Sequence, residues 1–129
     1  MPEVWSAPVR FAECDQQGVV FNAHYLTWAD EAVNAWWVAR GVSWPALNAD
    51  GVEYYLRASS LDWVASARWG DVVTVDADLD RLGSSSATLR FTVRVGERTC
   101  CTVTTTYVAT RDGRSTPWPD DVRAALGEA

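Results

Sequence analysis

Lysine is absent from this chain, and all eleven of its basic residues are arginine. We read that bias as the composition of a high-GC bacterial genome, not as function. No basic patch interleaves with aromatics, and the net charge is -6, which speaks against nucleic-acid binding. No apolar run reaches the length that spans a bilayer, so no membrane partner is expected. Met1-Pro2-Glu3 carries no basic n-region and no apolar h-region follows, so the expected compartment is the cytoplasm. Histidine occurs once, as His24, and no His/Cys/Asp/Glu group has ligand spacing; neither a metal nor another cofactor is expected. Only three cysteines occur, Cys14, Cys100 and Cys101, an odd set that fits reduced thiols. Cys100 and Cys101 are neighbours in an expected strand and should point to opposite faces. Cys14 sits beside Asp15, whose charge disfavours a thiolate, so it reads as structural.

What is present is the material of a globular core. The chain has 129 residues, 48% hydrophobic and 22% charged, with eight tryptophans. That length suits one domain, residues 1–129, with no repeat, linker or low-complexity tract. Val4 to Phe11 reads as a first strand. Ala23 to Arg40 reads as the main helix, with Asn22 as its N-cap and Gly41 as its stop. Leu26, Ala29, Val33, Trp36 and Trp37 form one apolar stripe, and Trp28, Ala32, Ala35 and Ala39 a second. Only Thr27, Asp30, Glu31 and Asn34 are polar, so this helix should be buried. After a loop over Ser43–Gly51, strands are expected near Val52–Val64 (with a break at Ser59-Ser60), Val73–Leu79, Ala87–Val95 and Thr99–Ala109. Gly70-Asp71, Gly83-Ser84, Gly96-Glu97 and Asp112-Gly113 read as turns between antiparallel neighbours. Asp120 to Leu126 reads as a short final helix. The expected fold is α+β: one long central helix wrapped by an antiparallel sheet of about five strands. So small a sheet cannot close around the helix, so a homodimer or homotetramer is expected.

The chemistry concentrates between Val9 and Trp37. A strand gives way to a tight polar loop carrying Asp15 and Gly18, and a helix begins near Asn22. That order sets a carboxylate opposite a helix N-terminus, whose free N–H groups can hold a developing negative charge. An acid facing an oxyanion site suits a hydrolase.

The string Val-Arg-Phe-Ala-Glu-Cys-Asp-Gln-Gln-Gly-Val-Val-Phe-Asn-Ala-His-Tyr-Leu resembles the N-terminal signature of hotdog-fold acyl-CoA thioesterases of the 4-hydroxybenzoyl-CoA thioesterase type. The matching positions are Asp15, Gly18, Val19, Val20, Asn22 and Tyr25. Ala67-Arg68-Trp69-Gly70-Asp71 and Arg81-Leu82-Gly83-Ser84-Ser85-Ser86 also look familiar, more weakly. The resemblance implies a hotdog fold, dimers packing into tetramers, active sites between subunits, and no metal. It gives Asp15 the role of nucleophile or general base on a thioester. It makes Asn22 the residue whose backbone N–H polarises the thioester carbonyl, and Asp30 a position often acidic in the family. Some relatives carry His where this chain has Asn22, while its own histidine comes two residues later.

Each assignment has a plainer reading beside it. Asp before Gly is ordinary turn chemistry, so Asp15 could simply cap its loop. His24 reads as a packing or surface residue. Gly18, Val20, Tyr25 and Trp28 are candidate substrate-binding positions; Tyr25 and Trp28 line an acyl pocket or fill the core. Arg81, Ser84 and Ser85 lie near the pantetheine or phosphate end of the substrate, or form an ordinary turn. The leading function is hydrolysis of a thioester of coenzyme A or of an acyl carrier protein. A noncatalytic acyl-thioester binding protein of the same fold is the alternative. A dehydratase is a third, but the surroundings of His24 do not resemble its helix signature.

Overall fold

Alternating apolar residues on three long strands make the floor on which everything else rests. The computed structural model describes residues 3–127. Its elements run β1 (Glu3–Pro8), a 3-10 turn (Phe11–Glu13), α1 (His24–Ala39), α2 (Trp44–Ala49), β2 (Glu53–Trp63), β3 (Val72–Leu82), β4 (Ser86–Val95), β5 (Arg98–Arg111), β6 (Arg114–Ser115) and α3 (Asp120–Ala125). The strands form one antiparallel sheet in the order β1-β3-β4-β5-β2, with the short β6 paired to β5. Val73, Val75 and Ala77 of β3, Leu89, Phe91 and Val93 of β4, and Val103, Tyr107 and Ala109 of β5 are all buried on the inner face. The sheet curls around α1, which meets β1, β3, β4 and β5. Tyr25, Trp28, Ala29, Ala32, Val33, Trp36 and Trp37 are the helix residues that this packing buries. This is the hotdog arrangement.

Turn chemistry sets where the elements stop. Gly41, at φ +78°, takes the left-handed conformation just past α1 and ends it. Asp112 and Gly113 are both left-handed (φ +53° and +77°), which makes the two-residue hairpin turn from β5 to β6.

Several boundaries differ from the sequence reading. The first strand ends at Pro8, not Phe11; Phe11 belongs to the 3-10 turn, where Glu13 N–H donates to the Arg10 carbonyl. The stretch Ser43–Gly51 is not plain loop. Ser43 Oγ accepts from Ala46 N–H at 3.2 Å, and Pro45 stands in the first turn of α2. The second strand runs unbroken through Ser59-Ser60, because Ser59 Oγ hydrogen-bonds Thr105 Oγ1 at 2.9 Å; its irregularity lies between Leu56 and Ala58. Asn22 is not the cap of α1. Ala23 holds that position, with no side-chain cap bond among the described residues. The polar stripe Thr27, Asp30, Glu31 and Asn34 is exposed as expected, but so is Ala39, and Val38 is 61% exposed. The last turn of the helix therefore emerges from the core.

Candidate active site at the loop–helix junction

Asp15 lies at the mouth of a small hairpin. Its N–H donates to the Val19 carbonyl at 2.9 Å, and Gly18 N–H donates back to the Asp15 carbonyl at 3.0 Å. Gly18 turns the chain at φ +76°, a conformation an L side chain resists. Cys14 and Val20 then face each other as an isolated bridge. One carboxylate oxygen of Asp15 accepts from Gln17 N–H at 2.8 Å, an Asx turn. The other oxygen makes no hydrogen bond among the described residues. The plain turn-capping role thus uses half of the carboxylate.

The hairpin delivers the chain to the start of α1. Phe21 N–H donates to the Glu13 carbonyl at 2.9 Å, and Val20 N–H to the Ala67 carbonyl at 2.9 Å. The Asn22 carbonyl accepts from Trp63 Nε1 at 3.3 Å, so the end of β2 also holds this corner. The N–H groups of Asn22 and Ala23 meet no acceptor among the described residues. An uncapped helix entry keeps its donors and its positive dipole end available to an incoming oxygen. His24, half-buried, packs edge-on against Phe21.

Sequence reasoning missed Glu13. Its side chain is only 4% exposed. It accepts from Arg10 N–H at 2.7 Å, Arg10 Nη2 at 3.1 Å and Trp28 Nε1 at 3.0 Å. Burial pulls its carboxyl upward, but the bonds from Arg10 and Trp28 outweigh it and hold it below the ordinary glutamate value. Two of the residues proposed to line a pocket belong to this framework. Trp28 is buried against Tyr25, ring centroids 5.1 Å apart, and Tyr25 Oη accepts from Ala67 N–H at 3.0 Å. Val20, also proposed, is buried beside them.

Asp30 stands two turns further along α1, on a different wall. With Val33, Trp44, Tyr54, Leu56 and Tyr107 it lines an open groove of about 320 Å³. Tyr54 is wedged among Trp37, Trp44 and Tyr107, with ring centroids 4.7–5.5 Å away. Although the residue is exposed overall, the groove takes solvent from its carboxyl, and that desolvation, followed by the charge of Glu31, raises it, while the nearby Tyr107 hydroxyl pulls the other way. That hydroxyl is buried and lies outside hydrogen-bond geometry to any of the described residues. Burial, then the Asp30 charge, pushes its own ionisation far up, so it stays a neutral phenol.

Arg81, Ser84 and Ser85 are not brought to Asp15 within one chain. Ser85 carbonyl accepts from Ala109 N–H and Ser84 carbonyl from Trp118 N–H, which fixes the β3–β4 turn at that end of β5. The Asn22 corner sits by Trp63, opposite Cys101. Residues 101 to 109 of β5 separate the two ends by roughly 27 Å. Cys100 and Cys101 are free and buried, and burial raises both thiols, Cys101 to about 11. Neither forms a thiolate near neutral pH. No helix is long and apolar enough to cross a membrane among the described residues.

Comparison with known proteins agrees with this architecture. The family model of the thioesterase-like superfamily matches residues 9–126. A hypothetical protein from Thermus thermophilus superposes with a TM-score of 0.91 at 28% identity, covering 97% of both chains. The 1,4-dihydroxy-2-naphthoyl-CoA thioesterase from Synechocystis superposes at 0.87 with 20% identity, over 96% of this chain and 94% of its own. A thioesterase from Thermus thermophilus, solved with coenzyme A and Zn, gives 0.85 at 24% identity over 98% of both chains. The last two, below 25% identity, share the fold. No curated protein matches the sequence significantly.

Proposed function

The chain belongs to the thioesterase-like superfamily, and from that premise we propose that it hydrolyses an acyl thioester of coenzyme A, or of an acyl carrier protein, to free acid and thiol. The observation that carries the reading is the junction itself. A carboxylate with one uncommitted oxygen, on Asp15, sits in a hairpin bonded to the uncapped entry of α1. The thioester carbonyl is polarised by the backbone N–H of Asn22, where the helix dipole favours the oxyanion. Asp15 then attacks the carbonyl carbon, the thiolate leaves, and water cleaves the resulting anhydride. Alternatively Asp15 takes a proton from the attacking water. Asp30 acts at the far wall, in the groove with Tyr54 and Tyr107. Coenzyme A in a related structure supports that thiol as the leaving group. The cytoplasm, where acyl-CoA is made and used, is the setting we assign.

The functional unit in this reading is a homodimer, which can pair into a tetramer. β2 is an edge strand of eleven residues, and most of it is exposed, including Tyr55, Leu56 and Trp63. Such an edge invites a second copy. Antiparallel pairing of two β2 strands would bring the β3–β4 end of one protomer, with Arg81, Ser84 and Ser85, to the level of the other's loop–helix junction. The parts that lie roughly 27 Å apart in one chain would then serve one substrate.

One observation favours a second reading, a noncatalytic acyl-thioester binder: Asp15 already caps its own turn through Gln17. A screen of short, long, branched and aryl acyl-CoAs with free-thiol detection separates the two. Turnover of any of them is the expected result. Tight binding with no thiol release across the set would favour the binder.

A further inference from the structure

We propose that Glu13 is a positioning residue for this chemistry: its buried carboxylate holds the Asp15 hairpin in register with the entry of α1. The inference rests on the thioesterase reading for its catalytic consequence, and on geometry alone for the holding. Three donors from two separate places converge on the carboxylate. Arg10 N–H binds Oε1; Arg10 Nη2 and Trp28 Nε1 bind Oε2. Arg10 begins the loop and Trp28 lies in the second turn of α1, so one side chain ties loop to helix. The tie is part of a closed circuit. Trp28 packs on Tyr25, Tyr25 Oη holds Ala67 N–H, the Ala67 carbonyl holds Val20 N–H, and Val20 bridges to Cys14, next to Glu13. The Glu13 carbonyl closes it by accepting from Phe21 N–H, one residue before Asn22. Asp15 lies two residues after Glu13, so a shift of this tie moves the carboxylate and the helix entry against each other.

The ionised form is what the site requires. A carboxylate only accepts, and three donors face it; a glutamine at 13 would turn its NH2 toward at least one of them. A buried donor left facing another donor loses its bond and keeps its desolvation cost. The charged neighbours are Arg10, which pairs with Glu13, and Glu31, whose charge reaches Arg10. Glu13 does not touch the reacting atoms in this account. Its effect is on geometry, and a misplacement of about 1 Å costs on the order of a hundredfold in rate.

The test compares the parent, Glu13→Gln and Trp28→Phe, each as the full chain. Hydrolysis of an acyl-CoA that the parent turns over gives kcat and KM, and hydrogen exchange reports on the amides of residues 14–22. Glu13→Gln should lower kcat by about tenfold to a hundredfold with KM within about threefold, and speed exchange in 14–22 while β3–β5 stay protected. Trp28→Phe removes one donor and keeps the charge, so its fall in kcat should be smaller; it carries the test if Glu13→Gln does not fold. Parent-like kcat with unchanged exchange in 14–22, or a loss confined to KM, would overturn the proposal. If the parent hydrolyses neither an acyl-CoA nor an acyl-carrier-protein thioester, the thioesterase reading fails, and exchange alone decides whether Glu13 holds the hairpin.

Discussion

On one flank of α1, Val75, Ala77, Leu89, Phe91 and Val93 lie under the helix with no exposed surface, and Trp36 is equally sealed. On the other flank β2 leaves Leu56 42% and Trp63 48% exposed, and the helix turns Asp30, Asn34 and Val38 outward. The same helix thus has one side finished by its own chain and one side left open. The finished side supplies stability, because burial of large apolar side chains is the main favourable term. The open side gathers what a substrate or a second protomer can use: an unpaired strand edge, the Asp30–Tyr107 groove and the corner where Trp63 meets Asn22. In the proposed reading, function sits where the chain leaves its helix open.

That contrast can be broken from the finished side first. Trp36→Ala should cost about 3–5 kcal/mol of unfolding free energy, as truncation of a sealed aromatic does. Leu56→Ala should cost well under that in dilute protein, near the scale of about 0.5 kcal/mol for surface changes. Chemical denaturation of both variants checks the pair; equal losses would erase the distinction between the flanks.

The strand edge comes next. Ala58→Glu with Ser60→Glu sets like charges on β2, which blunts edge pairing. Sedimentation at micromolar concentration should show a dimer or larger for the parent and a monomer for the double variant. A monomeric parent would sink the β2 pairing, and an unchanged assembly in the variant would move the interface elsewhere.

Smaller effects are expected in the groove. Asp30→Asn should lower kcat by a few fold, and Glu31→Gln less, on the scale of a remote charge rather than of a lost base. A pH dependence accompanies the first. The Asp30 carboxyl is raised in the folded chain, chiefly by desolvation and then by Glu31, so the fold binds that proton more tightly than the unfolded chain does. Its contribution favours folding below the ordinary aspartate value of 3.8 and is lost as pH rises through the raised value. Asp30→Asn should therefore raise Tm slightly at pH 7 and not at pH 3. A lower Tm at pH 7 would mean that the ionised form is stabilised by a partner.

Much of the fold is legible in the sequence because its signals are local. Period-two alternation marks β3, β4 and β5, and the double apolar stripe with Gly41 marks α1. What is not legible depends on pairs far apart in the chain. Ser59-Ser60 looks like a break until Thr105 is known to face Ser59. Glu13 reads as an ordinary solvated charge until Trp28 and Arg10 close over it. Asn22 has the chemistry of a cap, but with the Glu13–Phe21 hairpin bond in place the cap falls one residue later, on Ala23, and the helix starts at His24. Arg81, Ser84 and Ser85 form a turn motif whose place relative to Asp15 follows from strand register, which one sequence does not print. In the site itself the loop, Gly18 and the helix entry follow from the order of residues. The buried tie beneath them does not.

The central claim is that Asp15 performs the chemical step, and Asp15→Asn tests it most directly. The amide keeps the shape and the bond from Gln17 but loses nucleophilicity and basicity. On an acyl-CoA that the parent hydrolyses, with circular dichroism to confirm folding, kcat should fall on the order of a hundredfold or more while KM changes little. Near-parental turnover in a folded Asp15→Asn variant would contradict the account and leave Asp15 as the cap of its own turn.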